Sequence, residues 1–501
     1  MQIEQPYELV LFGGLGDLAL RKLFPALYLL ELDKRLPHGR IIAVGRKLLT
    51  TDEVVVKVRQ AVFSHVDGQC QDEECWQRFS DRLSYVSVDV QQADAYEALA
   101  LELEESCLNR LFYLATASYL YADIVANLHA SQLIQSSSKV VLEKPIGHDL
   151  ASAKEINKSV AEYFEESQIY RIDHYLGKET VQNLMVLRFA NSIFESQWNQ
   201  QYIDHIQISI SESLGVEKRA GFYEQVGAFR DMMQNHLLQL LCIVAMEPPA
   251  KMEPDAVRDE KVKVIKALRP IEGKDIFDKV IRGQYGPGVS EGAPVLGYRD
   301  EEGVDTQSQT ETFVAMKVEI ENWRWAGVPF YLRTGKRLGE RACEIVVQFK
   351  EIPHSIFSMQ HKETMANKLI FRLQPDEGIR LQLCEKKIGS GMNVRPMTLS
   401  LNPDNPSQEF MKSQSSSYTP SANSVRVPEA YERLLFDALA SNPTLFLRDD
   451  ELMQAWDWVD PILGAWLESE NAPESYTAGT WGPAAATLLL AKDGRLWNEN
   501  N

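Results

Sequence analysis

Nine consecutive residues, Arg171-Ile172-Asp173-His174-Tyr175-Leu176-Gly177-Lys178-Glu179, hold an acid, an imidazole, a phenol and two cations. They read as the end of a strand running into a helix. Successive strand side chains face opposite ways, so Asp173 and His174 look in different directions unless the chain turns between them. His174 and Lys178 are four apart and share one face if a helix has begun. The spacing therefore offers two chemistries: His174 and Lys178 converge on an anion, and Asp173 addresses another polar group. The alternative is a solvated strand end with a surface ion pair.

Two further polar clusters stand out. Arg230-Asp231-Met232-Met233-Gln234-Asn235-His236-Leu237-Leu238-Gln239 lies inside what reads as one long helix from Gly221 to Ala245, polar on one side and leucine-rich on the other. His236 is then either a site residue or a core histidine. Asp231, five residues away, would sit about 140° round an α-helix from it, flanking rather than stacking. The second cluster, Arg333-Thr334-Gly335-Lys336-Arg337-Leu338-Gly339-Glu340-Arg341, is a basic turn between two strands.

The elements that must position these groups follow from hydrophobic pattern. Tyr7–Phe12 is a short apolar run followed by Gly13-Gly14-Leu15-Gly16-Asp17-Leu18-Ala19, after which Leu23, Phe24, Leu27 and Leu30 recur at helical spacing. Glycines between a strand and a helix let the backbone approach a pyrophosphate, and the helix N-terminus supplies N–H groups and positive dipole. A plain tight turn is the other reading. The next strand, 40–44, ends in Gly45-Arg46-Lys47. An NAD-binding unit usually has an acid there for the ribose hydroxyls, whereas these cations suit a 2′-phosphate; a surface Arg-Lys pair is the plainer account. Further strands are expected at 83–90, with Asp89 near its end, at 111–117 and at 140–142, the last leading into Glu143-Lys144-Pro145. Strands alternating with helices make a doubly wound parallel sheet, with Lys144 at a strand's carboxyl end, where such sheets bind ligands.

After the Arg171–Glu179 stretch the texture changes. Asp204–Glu212 alternates as a strand with one polar face, and runs at 313–320, 330–332, 344–349, 368–373 and 379–383 read as strands of a large, mainly antiparallel sheet. The fold class is therefore an α/β N-terminal doubly wound Rossmann-like domain, 1–175, followed by an α+β domain, 176–501. A helix is expected at 428–439 and a loop at the Ser-rich stretch from Ser413 to Ser424.

Composition narrows the partners. The net charge of −19 over 501 residues argues against nucleic acid or an anionic membrane, and requires a locally basic pocket for any anionic substrate. Neither the nine histidines nor the six cysteines fall at metal-ligand spacings, so no metal is expected. Residues 1–6 lack the pattern of a leader, and no run is long and apolar enough for a bilayer span; a cytoplasmic protein is expected.

Taken together, the motifs Gly13–Ala19, Glu143-Lys-Pro145, Arg171–Glu179, Arg230–Gln239, Asn322-Trp-Arg-Trp-Ala-Gly-Val-Pro-Phe330 and Arg333-Thr-Gly-Lys336 resemble glucose-6-phosphate dehydrogenases over nearly the whole chain. The Arg171–Glu179 stretch is that family's signature. Glu-Lys-Pro is shared with other NAD(P)-dependent sugar dehydrogenases. The resemblance implies hydride transfer from C1 of β-D-glucose 6-phosphate to NADP, giving 6-phosphoglucono-δ-lactone, the first oxidative step of the pentose phosphate pathway. It implies His236 as general base for the C1 hydroxyl and Asp173 as the group orienting it. It assigns the phosphate to His174, Tyr175 and Lys178, the sugar hydroxyls to Glu212 and Asp231, and closure of the substrate pocket to Lys336 and Arg341. Lys144 is implied to touch both substrate and cofactor. The cofactor set is Gly13, Gly14, Leu15, Gly16, Asp17, Leu18, Arg46 and Asp89. Tyr431 is a further candidate phosphate ligand, and a homodimer or homotetramer through the large sheet is implied.

This chain departs from the family's pattern at Leu15, where a serine often sits, at Leu20, often basic, and at Thr116-Ala117-Ser118, often a Pro-Pro pair. Two other functions bear comparison: a dehydrogenase of an unphosphorylated sugar, which has no use for His174, Lys178, Lys336 and Arg341 around one anion, and an inactive NADP-binding regulator, whose mark would be loss of His236 or Asp173.

Overall fold

The computed structural model describes residues 6–104, 107, 109–357, 366–375, 377–389, 392–401, 426, 428–469 and 471–499. The Ser413–Ser424 stretch lies outside them. The chain divides into two compact units. One comprises Met1–Glu179, Pro249–Asp259 and Val427–Trp456; the other comprises Thr180–Pro248, Glu260–Arg426 and Asp457–Asn501. A single cut at 175/176 therefore misses two returns of the chain, because segments that add to a sheet from far along the sequence carry no local signal of where they go.

The first unit is built on a seven-stranded sheet. Its strands are β1 (Tyr7–Phe12), β2 (Gly39–Gly45), β3 (Leu83–Ser87), β4 (Asn109–Leu114), β5 (Lys139–Leu142), β6 (Ile169–Ile172) and, on the far edge, Phe446–Leu447. Their order is Phe446–Leu447, β6, β5, β4, β1, β2, β3. The first six run parallel, and Phe446–Leu447 adds antiparallel to β6. Every residue of β1, β4, β5 and β6 is buried, as expected of strands covered by helices on both faces. β3 and β4 stop three residues short of the expected ends: after β3 the chain turns at Asp89, and after β4 the Ala115 N–H bonds Phe12 O at 3.0 Å beside the glycine turn. Helix Thr51–His65 starts with Thr50 and Glu53 in a reciprocal cap.

The second unit carries a nine-stranded sheet. Antiparallel pairs dominate it, while Pro329–Gly335 pairs parallel with β7 (Ile203–Ser211) and Glu474–Thr477 parallel with Val280–Gly286. β7 has the expected polar face, and that face is largely buried as well. The C-terminal residues of the same unit satisfy it: Gln207 donates to Leu496 O at 2.8 Å, and the Asn498 N–H donates back to Gln207 Oε1 at 2.8 Å. No helix among the described residues is long and apolar enough to cross a membrane.

The expected long helix at 221–245 is three segments: Ala220–Ala228, a π-helical Phe229–Leu237, and Leu238–Ala245. The break is at Gly227, with φ +66° and ψ 174°. A side chain there would run into the Glu311 carboxylate. Glu311 is held in that position by accepting from the Phe229 N–H at 2.9 Å, while its carbonyl accepts from Ala228 N–H at 2.9 Å. It thus satisfies N–H groups that a helix start leaves without partners.

Candidate active site

In the first unit the glycine turn sits between β1 and a helix opening at residue 17. Gly13 has φ +75°, and a Cβ on it would strike the Ala115 carbonyl; one on Gly14 would lie 2.9 Å from Ala43 Cβ. These glycines are therefore required by close backbone approach, and they leave a shallow cradle ahead of N–H groups that have no intrahelical acceptor. Gly16 and Asp17 are exposed and Leu15 and Leu18 half-buried, with Asp17 paired to Arg21 at 3.6 Å. Arg46 and Lys47 are exposed just past the end of β2. The cradle fits the pyrophosphate of a nicotinamide dinucleotide. Asp89 is half-buried and already engaged in its own turn, accepting from Gln91 N–H and Gln92 Nε2 at 3.3 Å each.

The signature stretch is a turn, not the start of a helix. β6 ends at Ile172, and helix Glu179–Phe189 begins only after Lys178. Between them the Leu176 N–H bonds Asp173 O at 3.1 Å and the Lys178 N–H bonds Tyr175 O at 3.2 Å. Asp173 is buried, and its Oδ1 accepts from the Tyr175 N–H at 3.0 Å, which fixes the carboxylate against the turn. His174 and Lys178 do not share a helix face as expected; each packs on Tyr175 instead. The His174 ring lies 4.9 Å from the Tyr175 ring, and Lys178 Nζ lies 4.6 Å from its centre. Gly177 has no room for a side chain, since a Cβ would sit 2.7 Å from Ala430 O of helix Ala430–Leu439. Arg171, in contrast, belongs to the framework: it is buried and grips Glu166 through two bonds of 2.7 and 3.0 Å. Lys144 is half-buried just beyond β5, at a cis peptide to Pro145.

In the second unit Lys336 is buried to 3 % side-chain exposure and paired with Glu212 at 2.5 Å. Lys336 Nζ also lies 5.2 Å over the ring of Tyr223. Burial pushes the Tyr223 phenol well above its ordinary pKa, and the nearby charges of Asp231, Glu311 and Glu212 push it further. Lys336, with its partner Glu212, thus lies beside one buried phenol whose titration also feels the charge of Asp231. Tyr223 was not legible as a site residue, because an aromatic at a helix position reads as core. Arg341 is exposed ahead of strand Ala342–Phe349, and among the described residues no ion pair joins it to Glu212, the carboxylate that Lys336 holds. His236 is fully buried. In a π-helical segment the i→i+5 backbone bond puts positions five apart little more than one turn apart, so Asp231 and His236 lie closer round the axis than in the expected α-helix.

A glycine turn on a parallel sheet, joined in one chain to a mainly antiparallel sheet, defines a Rossmann-type oxidoreductase that uses a nicotinamide cofactor. Residues 10–183 match the glucose-6-phosphate dehydrogenase NAD-binding domain, and residues 185–498 match the glucose-6-phosphate dehydrogenase C-terminal domain. The chain is 48% identical over 499 residues to glucose-6-phosphate 1-dehydrogenase of Rhizobium meliloti, covering 99% of this chain and 98% of that one. It is also 48% identical to the Mycolicibacterium smegmatis protein of the same name, covering 98% and 97%. A solved glucose-6-phosphate dehydrogenase in complex with its substrate glucose-6-phosphate superposes with a TM-score of 0.87 at 34% identity over 100% of both chains. The chain belongs to the glucose-6-phosphate dehydrogenase family.

Proposed function

We propose that the protein oxidises C1 of β-D-glucose 6-phosphate to 6-phosphoglucono-1,5-lactone, using NADP. The observation that carries the reading is the signature turn, in which the His174 imidazole and the Lys178 ammonium each pack against Tyr175. An imidazole N–H and an ammonium suit a phosphate better than a neutral hydroxyl. His236 takes the proton of the C1 hydroxyl; a neutral imidazole has the basicity for that near physiological pH. The family motif assigns Asp173 to orient this base. Glu212 and Asp231 accept from sugar hydroxyls, Lys336 is held ready by Glu212, and Lys144 serves substrate and cofactor. Arg341 is retained as a residue of the pocket rim on the family motif alone. When bound, NADP accepts the hydride leaving C1. Gly13 to Leu18 hold its pyrophosphate and Arg46 its 2′-phosphate, with Asp89 near the adenosine end. The same family reading makes the protein a cytoplasmic homodimer or homotetramer.

The test is initial rate with glucose 6-phosphate against NADP and NAD separately, and with free glucose in place of the phosphate ester. Reduction of NADP with glucose 6-phosphate, and a far lower kcat/KM for glucose, is the expected result. Equal turnover of free glucose would reject the phosphate site.

A further inference from the structure

The strand order of the first unit places a crevice where the chain changes direction across the sheet. From β1 the chain passes to β2 and β3 on one side, then returns to β4 on the other. Open parallel sheets bind ligands outside the carboxyl ends of the two strands at such a point. Here those ends are Phe12 and Leu114, paired in register, with Gly13 following the one and Ala115-Thr116 the other. The Ala115 N–H donates to Phe12 O at 3.0 Å, and a Cβ on Gly13 would lie 3.3 Å from Thr116 Cγ2. The Thr116 methyl therefore flanks the glycine turn. The turn itself, Gly13-Gly14-Leu15-Gly16, brings no hydroxyl or other side-chain donor.

Thr116 is half-buried, yet its hydroxyl oxygen is wholly shielded and has no hydrogen-bond partner among the described residues. Nor does it cap a helix: the short helix Ser118–Leu120 has Ala117 at its N-cap and no side-chain cap. Shielding a hydroxyl from water without a partner is unfavourable, so the fold gains nothing from this one. Rotation about the Cα–Cβ bond exchanges methyl and hydroxyl between staggered positions. For Thr116 that rotation breaks no hydrogen bond, puts carbon in the shielded position and brings the hydroxyl beside Gly13. There it faces the cradle, where the glycine turn and the helix N-terminus suit a pyrophosphate.

We propose that Thr116 is a cofactor-binding residue whose hydroxyl donates to the nicotinamide-side phosphate of the dinucleotide. The side follows from strand order: β2, which leads into Arg46, flanks β1 on one side, and β4 flanks it on the other. With the 2′-phosphate end over β2, the nicotinamide half lies toward β4 and Thr116. The proposal rests on the reading of the cradle as an NADP site. It differs from the role of Arg46 because the phosphate in question is common to NADP and NAD.

The experiment compares the full-length protein with Thr116→Val, which keeps the shape and removes the hydroxyl, and with Thr116→Ser, which keeps the hydroxyl. The readouts are dissociation constants for NADP, NAD and adenosine 2′,5′-bisphosphate by titration calorimetry, and the melting temperature without ligand. Thr116→Val should weaken NADP and NAD alike by at least about fivefold, the loss of a charge-assisted hydrogen bond. Adenosine 2′,5′-bisphosphate, which lacks the nicotinamide-side phosphate, should bind within about twofold of the parent. Without ligand, Thr116→Val should melt no lower than the parent, and Thr116→Ser should bind both dinucleotides as the parent does. A smaller loss for NADP and NAD would overturn the proposal, and an equal loss for the bisphosphate would do so by moving the contact to the adenosine side. Thr116→Ser as weak as Thr116→Val would leave only methyl packing and also overturn it. A Thr116→Val protein that melts lower, or does not fold, would give the hydroxyl a structural partner and count equally against the proposal. A parent that binds neither dinucleotide rejects the cofactor reading itself, whereas a parent that binds both, with an unaffected Thr116→Val, rejects the Thr116 role alone.

Discussion

His236 and Arg46 occupy opposite kinds of environment, and their substitutions should fail in opposite ways. His236 is fully buried, and its backbone N–H donates to Asn235 Oδ1 at 2.6 Å. Asparagine preserves that backbone bond and much of the volume while removing the base. His236→Asn is expected to lower kcat by about 10²- to 10⁴-fold, the span for losing a general base, with the glucose 6-phosphate KM nearly held; full kcat would cancel the base assignment. Arg46 is exposed beyond β2, so Arg46→Ala should leave stability within about 0.5 kcal/mol. It should nevertheless shift the ratio of kcat/KM for NADP over NAD toward NAD by about ten- to a hundredfold, one charge-assisted contact. An unmoved ratio would remove Arg46 from the 2′-phosphate site. Both residues could be proposed from the sequence because their types are chemically marked. Tyr223 and Tyr431 were harder: spacing along the chain does not encode what a ring faces, Lys336 in one case and His174 in the other.

At the scale of elements, the helix bearing His236 shows what pattern alone cannot resolve. Residues 221–245 keep a helical texture across the break, and Gly227 reads as one more helical residue until its φ of +66° and the Glu311 carboxylate beside it are seen. Gly227→Ala should cost about 1–3 kcal/mol from the positive φ and more from the clash, displacing Asp231 and His236 so that Tm and kcat fall together. Gly221 is the control: it lies in the same segment, and a methyl group added to it would meet nothing within 4 Å. Gly221→Ala should therefore stabilise by about 0.5–1 kcal/mol. Equal effects at the two glycines would contradict the break. A second element-scale consequence concerns helix Ala430–Leu439, whose last carbonyls, Ala438 O and Leu439 O, accept from Lys139 Nζ at 3.4 Å. Burial lowers the Lys139 pKa from 10.5 to about 8. Between those values the folded chain has lost a proton that the unfolded chain still binds, so unfolding takes up a proton and stability rises with pH. From about pH 7.5 to 9.5 the first unit should therefore gain about 1–2 kcal/mol relative to a Lys139→Met variant. Parallel pH curves for the two proteins would show that Lys139 titrates normally. The strands of both sheets were mostly legible from apolar runs, whereas Phe446–Leu447, two residues long and paired with β6, offers no periodicity to read.

The chain as a whole crosses between its units several times, with Pro249–Asp259 and Val427–Trp456 returning to the dinucleotide-binding unit, and truncation at the expected domain boundary would strip that unit of a helix and an edge strand. The other unit has a different incompleteness. On strands Lys368–Gln374, Gly378–Lys386 and Val394–Leu401, cross-strand partners on one face are Leu369, Leu381 and Leu399, flanked by Phe371 with Ile379 and Leu383 with Met397. The adjacent row is Ile370, Arg380 and Ser400. An apolar face thus runs to the edge of the sheet while its cover thins, Leu369 being 1% exposed and Leu399 47%. An apolar sheet face that no described residue covers is a recognised kind of association surface, and a second copy of the chain, as the proposed homo-oligomer requires, presents the same face in return. Leu399→Asp places a charge at the centre of such a contact. It should raise the dissociation constant by at least about tenfold, the cost of desolvating one unpaired charge, seen by light scattering as monomer at concentrations where the parent associates, with unchanged circular dichroism. A parent protein that is monomeric throughout would reject the oligomer, and an associated Leu399→Asp would move the interface off this face.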